Sequence, residues 1–314
     1  MGAYILRRLV ESIPVLILAS AAIFLMLRLI PGDPAVIILG SDARPEQLEA
    51  VRKDLHLDDP LIVQYASWVT HVLQGDLGNS YGSGYPASKL ITGKLPATLQ
   101  LIAGAFFVAL LLAVPIGVGA ALRPHSWIDR FASWYAGLGL AVPSFWLGIL
   151  LSLFVGLKLG WLPPSGYAPI WSDPADGLRH LILPSLTLGF GISAVLSRYL
   201  RSSLLEVLHN DYIRTARAKG LNERWVIGRH AVRNSLIPVV TILGLQIGAF
   251  MGGAVVTEAV FDWPGLGLAF WNAVLNRDYN VVQAIVLFTV IAFILVNLVT
   301  DLICAFLDPR IRFD

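Results

Sequence analysis

Long uncharged runs constrain the fold of this chain more than any other feature of its sequence. Several runs reach the roughly 20 residues that a helix needs to cross about 30 Å of hydrocarbon. Hydrophobic residues make up 56% of the chain and charged residues only 14%, and the short alternating segments of membrane strands are absent. The sequence therefore predicts an all-α membrane protein. We place six transmembrane helices at about residues 9–29, 96–122, 131–159, 180–200, 235–260 and 281–306.

The basic residues divide unevenly between the two sets of loops that these six helices define. Most of the 23 Lys and Arg residues fall in one set, which also contains both termini. Because cytoplasmic loops carry the excess of Lys and Arg, this set is assigned to the cytoplasm. The net charge of +2 reflects this sidedness and does not indicate a nucleic-acid partner.

The segment between the first two predicted spans, residues 31–94, is too long for a turn and too polar for lipid. It begins with the turn-forming Pro31-Gly-Asp-Pro34 and continues through a polar, helix-compatible stretch at residues 45–57. Glycine-rich stretches at residues 75–80 and 81–85 indicate loops, since glycine tolerates positive φ. We expect a partly helical external subdomain that rests on the membrane.

Charge within the predicted spans is scarce, which argues against coupling to an ion gradient. The acidic residues Glu11, Glu258 and Asp301 lie toward span ends, where snorkelling or helix-end contacts suffice. No Gly-x4-Gly-Lys-Ser/Thr loop is available to bind ATP phosphates. The six histidines lack metal-binding spacing, and Cys304 stands alone. We expect no catalytic site, metal or cofactor in this chain. The alternative classes are a secondary transporter, a channel and a membrane enzyme.

One charged segment, residues 206–225, interrupts the hydrophobic sequence on the cytoplasmic side. Residues 202–219 favour a helix in which acidic residues precede basic ones, as the macrodipole prefers, and Gly220 is placed to end it. Asn222 is a plausible N-cap for a second helical stretch. One face of the first helix carries Leu205, Leu208, Tyr212 and Ala216. The arginines of this segment have two possible roles. They can fix the membrane topology and bind anionic lipid headgroups, or they can help to dock a soluble partner, and the presence of a defined helix favours docking.

The stretch Asp211-Tyr-Ile-Arg-Thr-Ala-Arg-Ala-Lys-Gly-Leu221 resembles the EAA loop of bacterial ABC importer permeases, in the variant of the peptide and nickel importer family. The general Glu-Ala-Ala is here Arg214-Thr215-Ala216, and Arg233 replaces a common proline, as in the B-type subunit of that family. Other similar motifs follow in order: Tyr4-Ile-Leu-Arg-Arg-Leu9, Pro31-Gly-Asp-Pro34, Gly75-Asp-Leu-Gly78, Leu95-Pro-Ala-Thr98, Val142-Pro-Ser144, Phe261-Asp-Trp-Pro-Gly-Leu-Gly267, Asp278-Tyr279 and Leu307-Asp-Pro-Arg-Ile-Arg312.

The resemblance implies a type I ABC importer permease fold. It divides the chain into residues 1–94, the first transmembrane helix plus the external subdomain, and residues 95–314, a five-helix core with a coupling helix near 203–222. That helix would dock in a groove of an ATP-binding subunit through Glu206, Asp211, Tyr212, Arg214, Thr215, Ala216, Arg217, Ala218 and Gly220. The external turn Trp263-Pro264-Gly265 is either a contact for a binding protein or only a connector.

The function implied is that of a pore-forming permease subunit of an ATP-driven importer in the bacterial cytoplasmic (inner) membrane. Its implied partners are a second, C-type permease, two ATP-binding subunits, an external substrate-binding protein and membrane lipid. Di- or oligopeptides are the expected substrates. Nickel, glutathione or oligosaccharide import by the same machinery is the alternative, and an ion-coupled secondary transporter is a more distant one.

Overall fold

Helices make up nearly all of the regular structure in this computed structural model, which describes residues 2–29, 33–40, 43–54 and 56–307. Within those ranges the only β pairing is an isolated bridge between Asn79 and Pro86. The helices are α1 (Gly2–Leu29), α2 (Pro34–Leu39), α3 (Pro45–Asp54), α4 (Leu61–Leu73), α5 (Ala87–Leu122), α6 (Trp127–Ala141), α7 (Ser144–Leu151), α8 (Pro174–Leu208), α9 (Asp211–Ala218), α10 (Glu223–Trp225), α11 (Arg233–Val260), α12 (Leu266–Leu275) and α13 (Tyr279–Leu307). π-helical turns at Ser152–Lys158 and Val226–Val232 follow α7 and α10.

Four of these helices are long and apolar enough to cross a membrane: Ile5–Leu29, Ala87–Leu122, Pro174–Leu208 and Tyr279–Ala305. A fifth span results if the bent pair formed by α6 and α7 with its π turn is counted as one. The predicted span at residues 235–260 lies within α11, which is not among these. The all-α membrane class is confirmed, whereas the count of six spans stays a prediction.

The predicted span at residues 131–159 is not one continuous helix. The chain bends by 96° between Trp127–Ala141 and Ser144–Lys158. Val142 adopts extended backbone angles, φ −84° and ψ 118°, because the ring of Pro143 disfavours the helical region for the residue before it. Pro143 also has no N–H to continue the hydrogen-bond ladder, so helix α7 starts afresh at Ser144.

The chain divides into two compact units, of which the first comprises Met1–Pro96 and Leu268–Ile294. Here α4 packs on α1: the Phe24 ring lies 5.5 Å from that of Tyr65, whose hydroxyl is 2.8 Å from Ser20 Oγ. Asp33 caps α2 by accepting the Ala35 N–H and also pairs with Arg52. The expected partly helical segment after α1 is thus present as α2, α3 and α4, while Pro31 and Gly32 lie outside the described residues.

The predicted glycine-rich loops of this unit are confirmed. Gly75, Gly78 and Gly84 have positive φ, and the loop is fixed to the start of α13. Ser80 Oγ donates to Asp278 Oδ2 at 2.5 Å, and Asn280 Nδ2 donates to the Asn79 carbonyl at 2.9 Å.

The second unit comprises Ala97–Gly267 and Leu295–Asp314, and helix α8 forms its centre. Small residues allow close helix approach, as expected for packing in lipid. A Cβ on Gly189 would lie 2.7 Å from the Ala105 carbonyl oxygen of α5, and one on Gly139 of α6 would lie 2.3 Å from Ala194 Cβ. The core between α5 and α8 contains Leu101, Ala105, Ala109, Leu188, Leu196 and Leu200.

Candidate functional site

The charged segment on the predicted cytoplasmic side folds as a short separate helix. The prediction of one helix over residues 202–219 is wrong, because α8 continues to Leu208 and α9 starts only at Asp211. Between them Asn210 is extended, with φ −70° and ψ 146°, the backbone typical of an N-cap residue. Gly220 has φ +77° just after the helix, so the predicted glycine stop is confirmed.

The buried face of α9 differs from the predicted one. Ile213 is fully buried and Ala216 is nearly so, whereas Tyr212 is 39% exposed. The two buried side chains belong to an apolar cluster that also contains Ala121, Leu204, Val207, Val226 and Ala231. The Tyr212 hydroxyl instead accepts a hydrogen bond from Asn234 Nδ2 at 2.9 Å. The register differs because α9 is a new helix and does not continue the rotation of α8.

The opposite face of α9 is polar and open to solvent. Asp211 and Arg214 form an exposed i,i+3 pair at 3.6 Å, and Thr215 Oγ1 donates to the Asp211 carbonyl. Of the residues predicted for docking, only Ala216 is buried; Glu206, Asp211, Tyr212, Arg214, Thr215, Arg217, Ala218 and Gly220 are exposed. An eight-residue helix anchored by two side chains thus presents most of its predicted contact residues outward.

The segment after α9 is fixed by a second set of polar contacts. Arg217 pairs with Glu223 at 2.7 Å and lowers the pKa of that carboxyl. Asn222 caps α10 by accepting the Arg224 N–H, as predicted from the sequence. Beyond the cap, three exposed arginines and Trp225 line an open groove of about 600 Å³ around Gly228. The convergence of these arginines was not predicted from the sequence.

An ion pair that was not predicted from the sequence joins the start of α6 to α8. Arg201 donates to both carboxylate oxygens of Asp129, at 2.5 and 2.9 Å, and Asp129 also accepts the His125 N–H. The Asp129 side chain is only 9% exposed. Because the two residues are separated by 72 positions, no sequence pattern connects them.

We expect substitution of Arg201 to lower the stability of the chain in a graded order. Arg201→Gln leaves the Asp129 carboxylate without its cation, and we expect a loss of about 2 kcal/mol, because the pair is partly screened by solvent. Arg201→Lys retains the positive charge but not the bidentate hydrogen-bond geometry, so its loss of stability should be smaller. Thermal unfolding in detergent measures both; equal stability of the two variants would contradict an ion-pair role.

The turn between α11 and α12, which is predicted to be external, is tightly packed. Trp263 is fully buried, its Nε1–H donates to the Ala97 carbonyl at 2.8 Å, and its ring lies 4.8 Å from that of Tyr167. The Trp263 side chain is not exposed for contact with a binding protein, and Gly265 is also buried.

Glu258, for which either snorkelling or helix-end contacts were expected, is fully buried. Thr98 Oγ1 donates to Glu258 Oε1 at 3.2 Å and accepts the Leu266 N–H at 2.8 Å. This places a carboxylate beside the first residue of α12, where the helix dipole favours negative charge. Among the described residues, no group of three or more His, Cys, Asp or Glu side chains is arranged to hold a metal.

A solved structure identifies the class to which this fold belongs. The chain is similar to a chain of the MetNI methionine ABC transporter in an inward-facing conformation, with a TM-score of 0.57 and 18% identity. The likeness covers 70% of this chain and 96% of that one. The fold is therefore that of a type I ABC importer permease, a multi-pass helical membrane protein.

Sequence comparison gives the family. The family described as binding-protein-dependent transport system inner membrane component matches residues 113–313, and its N-terminal counterpart matches residues 1–102. The glutathione transport system permease protein GsiC of Salmonella typhimurium is 45% identical over 99% of both chains. A putative peptide transport system permease protein of Brucella abortus is 41% identical over the full length of both. The chain belongs to this family of inner-membrane permeases, which confirms the resemblance found in its sequence.

Proposed function

We propose that this chain is the pore-forming subunit of an ATP-driven importer that takes up small peptides delivered by an external binding protein. The observation that carries the proposal is the end-to-end similarity to permeases named for glutathione and for peptide transport. Glutathione is a tripeptide, so the two names describe one chemical class. Glutathione itself is the second candidate, favoured by the 45% identity to the Salmonella protein.

The proposed architecture has six transmembrane helices and both termini in the cytoplasm. It retains the division at residues 94 and 95, which the separate family matches to residues 1–102 and 113–313 support. In this arrangement α11 and the bent pair α6–α7 each act as a span. The proposed assembly contains a C-type permease, two ATP-binding subunits that hydrolyse ATP, and the binding protein.

In this assembly α9 is the coupling helix. Its exposed polar face, with Asp211, Arg214 and Thr215, would dock in a groove of the ATP-binding subunit. Its anchor, Ile213, would pass the movement of that subunit to α8 through Leu204. ATP shifts the inward- to outward-facing equilibrium only to the extent that it binds the two states with different affinity. At the external turn, Pro264, which is partly exposed, would be the contact for the binding protein.

Uptake by reconstituted complexes tests the substrate class. The chain and its genomic partner subunits would be reconstituted in liposomes with the ATP-binding subunits and ATP in the lumen. The binding protein and a labelled tripeptide or labelled glutathione would be added outside. Uptake that needs ATP and the binding protein, and that either peptide inhibits, supports the proposal. Uptake driven by an ion gradient with this chain alone would refute it.

We expect Gly220→Val to uncouple ATP hydrolysis from uptake. A β-branched residue is strained at φ +77°, so the chain leaving α9 must shift and alter how this helix is held. Membrane insertion should be normal. The uptake per ATP hydrolysed should fall about tenfold, which corresponds to a change of about 1.4 kcal/mol in the free energy that couples hydrolysis to transport. Gly228→Ala is the matched control, because its added Cβ meets open space. Normal coupling in the valine variant would count against α9 as the coupling helix.

A further inference from the structure

A cavity of about 340 Å³ lies between α6 and α8, away from the coupling helix and the external turn. Small and apolar side chains line most of it, and two arginines lie at one end. The lining includes Ser133, Ala136, Gly137, Leu140, Arg198 and Arg201. A Cβ built on Gly137 has no atom within 4 Å, so this residue faces the open space.

The cavity follows the part of α6 that leads away from the Asp129–Arg201 pair. Its lining on this helix extends from Ala132 to Leu140, eight residues further along. At 1.5 Å per residue this distance is about 12 Å, which fits within half of the roughly 30 Å hydrocarbon thickness. Both helices belong to segments apolar enough to span a membrane.

The charged end of the cavity favours an anion. Arg201 is neutralised by Asp129, whereas Arg198 is exposed and has its guanidinium carbon 5.8 Å from the centroid of the Tyr199 ring. Among the described residues no carboxylate pairs with Arg198, and no acidic residue lines the cavity. A phosphate at this end would therefore meet one uncompensated guanidinium, which binds phosphate with strong charge-assisted hydrogen bonds.

The remainder of the cavity favours an acyl chain over a peptide. Ser133 Oγ donates to the Asp129 carbonyl and Ser197 Oγ to the Ala194 carbonyl, each at 3.0 Å. These hydroxyls are turned toward their own helices, so the lining offers few free groups to a peptide backbone, whose N–H and C=O groups need partners in a dry site. A hydrocarbon chain needs none.

We propose that one anionic phospholipid occupies this cavity, with its phosphate on Arg198 and an acyl chain against Ala136, Gly137 and Leu140. The lipid would fill the gap between α6 and α8 beside the Asp129–Arg201 pair. The proposal does not depend on the transported substrate, because lipid retention by this chain is measured without substrate, ATP or partner subunits.

Native mass spectrometry of the full chain tests the site. The chain would be equilibrated with phosphatidylglycerol and phosphatidylcholine of identical acyl chains and then progressively delipidated. We expect one retained phosphatidylglycerol. Arg198→Gln should weaken its retention about tenfold, the effect of losing one charged hydrogen bond, and Arg198→Lys should restore part of it. Gly137→Trp should displace the lipid by filling the cavity while leaving both arginines in place.

Arg224→Gln is the matched control, since it removes one exposed arginine from the other groove and should leave the retained lipid unchanged. Equal retention of the two phospholipids would overturn the proposal, as would unchanged retention in the Arg198→Gln variant. If Gly137→Trp blocks uptake by the complex without releasing lipid, the cavity belongs to the substrate path and the proposal is wrong. Loss of the lipid from every variant, including the Arg224→Gln control, would also contradict the proposal if each variant keeps its thermal stability, because the control must retain the lipid.

Discussion

Replacing Gly265 with alanine is expected to lower the stability of this chain strongly, because the added methyl group would displace a buried carboxylate. The added Cβ would lie 2.0 Å from Glu258 Oε1 and 2.3 Å from Cδ of the same residue. The carboxylate has little room to move, because Glu258 is fully buried and accepts a hydrogen bond from Thr98. Overpacking combined with a disrupted buried hydrogen bond costs on the order of 3 kcal/mol.

Thermal unfolding of the full chain in detergent measures this effect. Gly93→Ala is the matched control, because its Cβ meets no atom within 4 Å and alanine is the better helix former. Combining Gly265→Ala with Glu258→Ala tests the cause. If the clash is with this carboxylate, the double variant should lose less stability than the sum of the two single changes. If the two losses of stability simply add, the added methyl group clashes with a group other than this carboxylate.

Ile213→Asp is expected to detach α9 from the membrane core and to reduce uptake by the complex more than tenfold. Ile213 is fully buried, and an unpaired carboxylate in its place costs several kcal/mol. An eight-residue helix has almost no stability of its own in water, so α9 should unfold locally while the apolar spans stay inserted. The loss of uptake should therefore occur at normal membrane levels of the protein.

Limited trypsin digestion separates this anchoring role from docking. Arg214 and Arg217 lie on the exposed part of α9, so cleavage after them should speed up when the helix unfolds in the Ile213→Asp variant. Arg214→Ala is the matched control: it leaves the buried face intact, and we expect unchanged digestion after Arg217 with weaker association of the ATP-binding subunits. Wild-type digestion and uptake in the Ile213→Asp chain would disprove the anchoring role.

Local sequence patterns predicted most of the features that depend on neighbouring residues. The glycine stop at Gly220, the Asn222 cap and the glycine-rich loops at residues 75–85 were all predicted, because backbone preference is decided within a few positions. The same reasoning failed at His209 and Asn210, where helical composition continues and the helix does not. It also treated residues 131–159 as one span, although Pro143 in that run permits a sharp bend.

Pairings between distant residues were not predictable in this way. The Asp129–Arg201 ion pair and the Thr98–Glu258 hydrogen bond each join helices far apart in the sequence. The sequence left the Trp263 turn as either a contact or a connector, and the burial of Trp263 against Tyr167 depends on a neighbour 96 positions away. Side-chain periodicity carries no information about which helix supplies the opposing surface.

The sequence by itself determined that the chain is an all-α membrane protein, that it belongs to a permease family, and that a charged helix interrupts its spans. These properties depend on the hydropathy of contiguous runs and on motifs in linear order. Only the tertiary structure decided which face of that helix is anchored, where the third predicted span bends, and which carboxylates are buried. Those outcomes depend on helix packing, in which glycines such as Gly139 and Gly189, where an added Cβ would lie within 3 Å of the neighbouring helix, let helices approach closely and so fix the neighbours that each side chain meets.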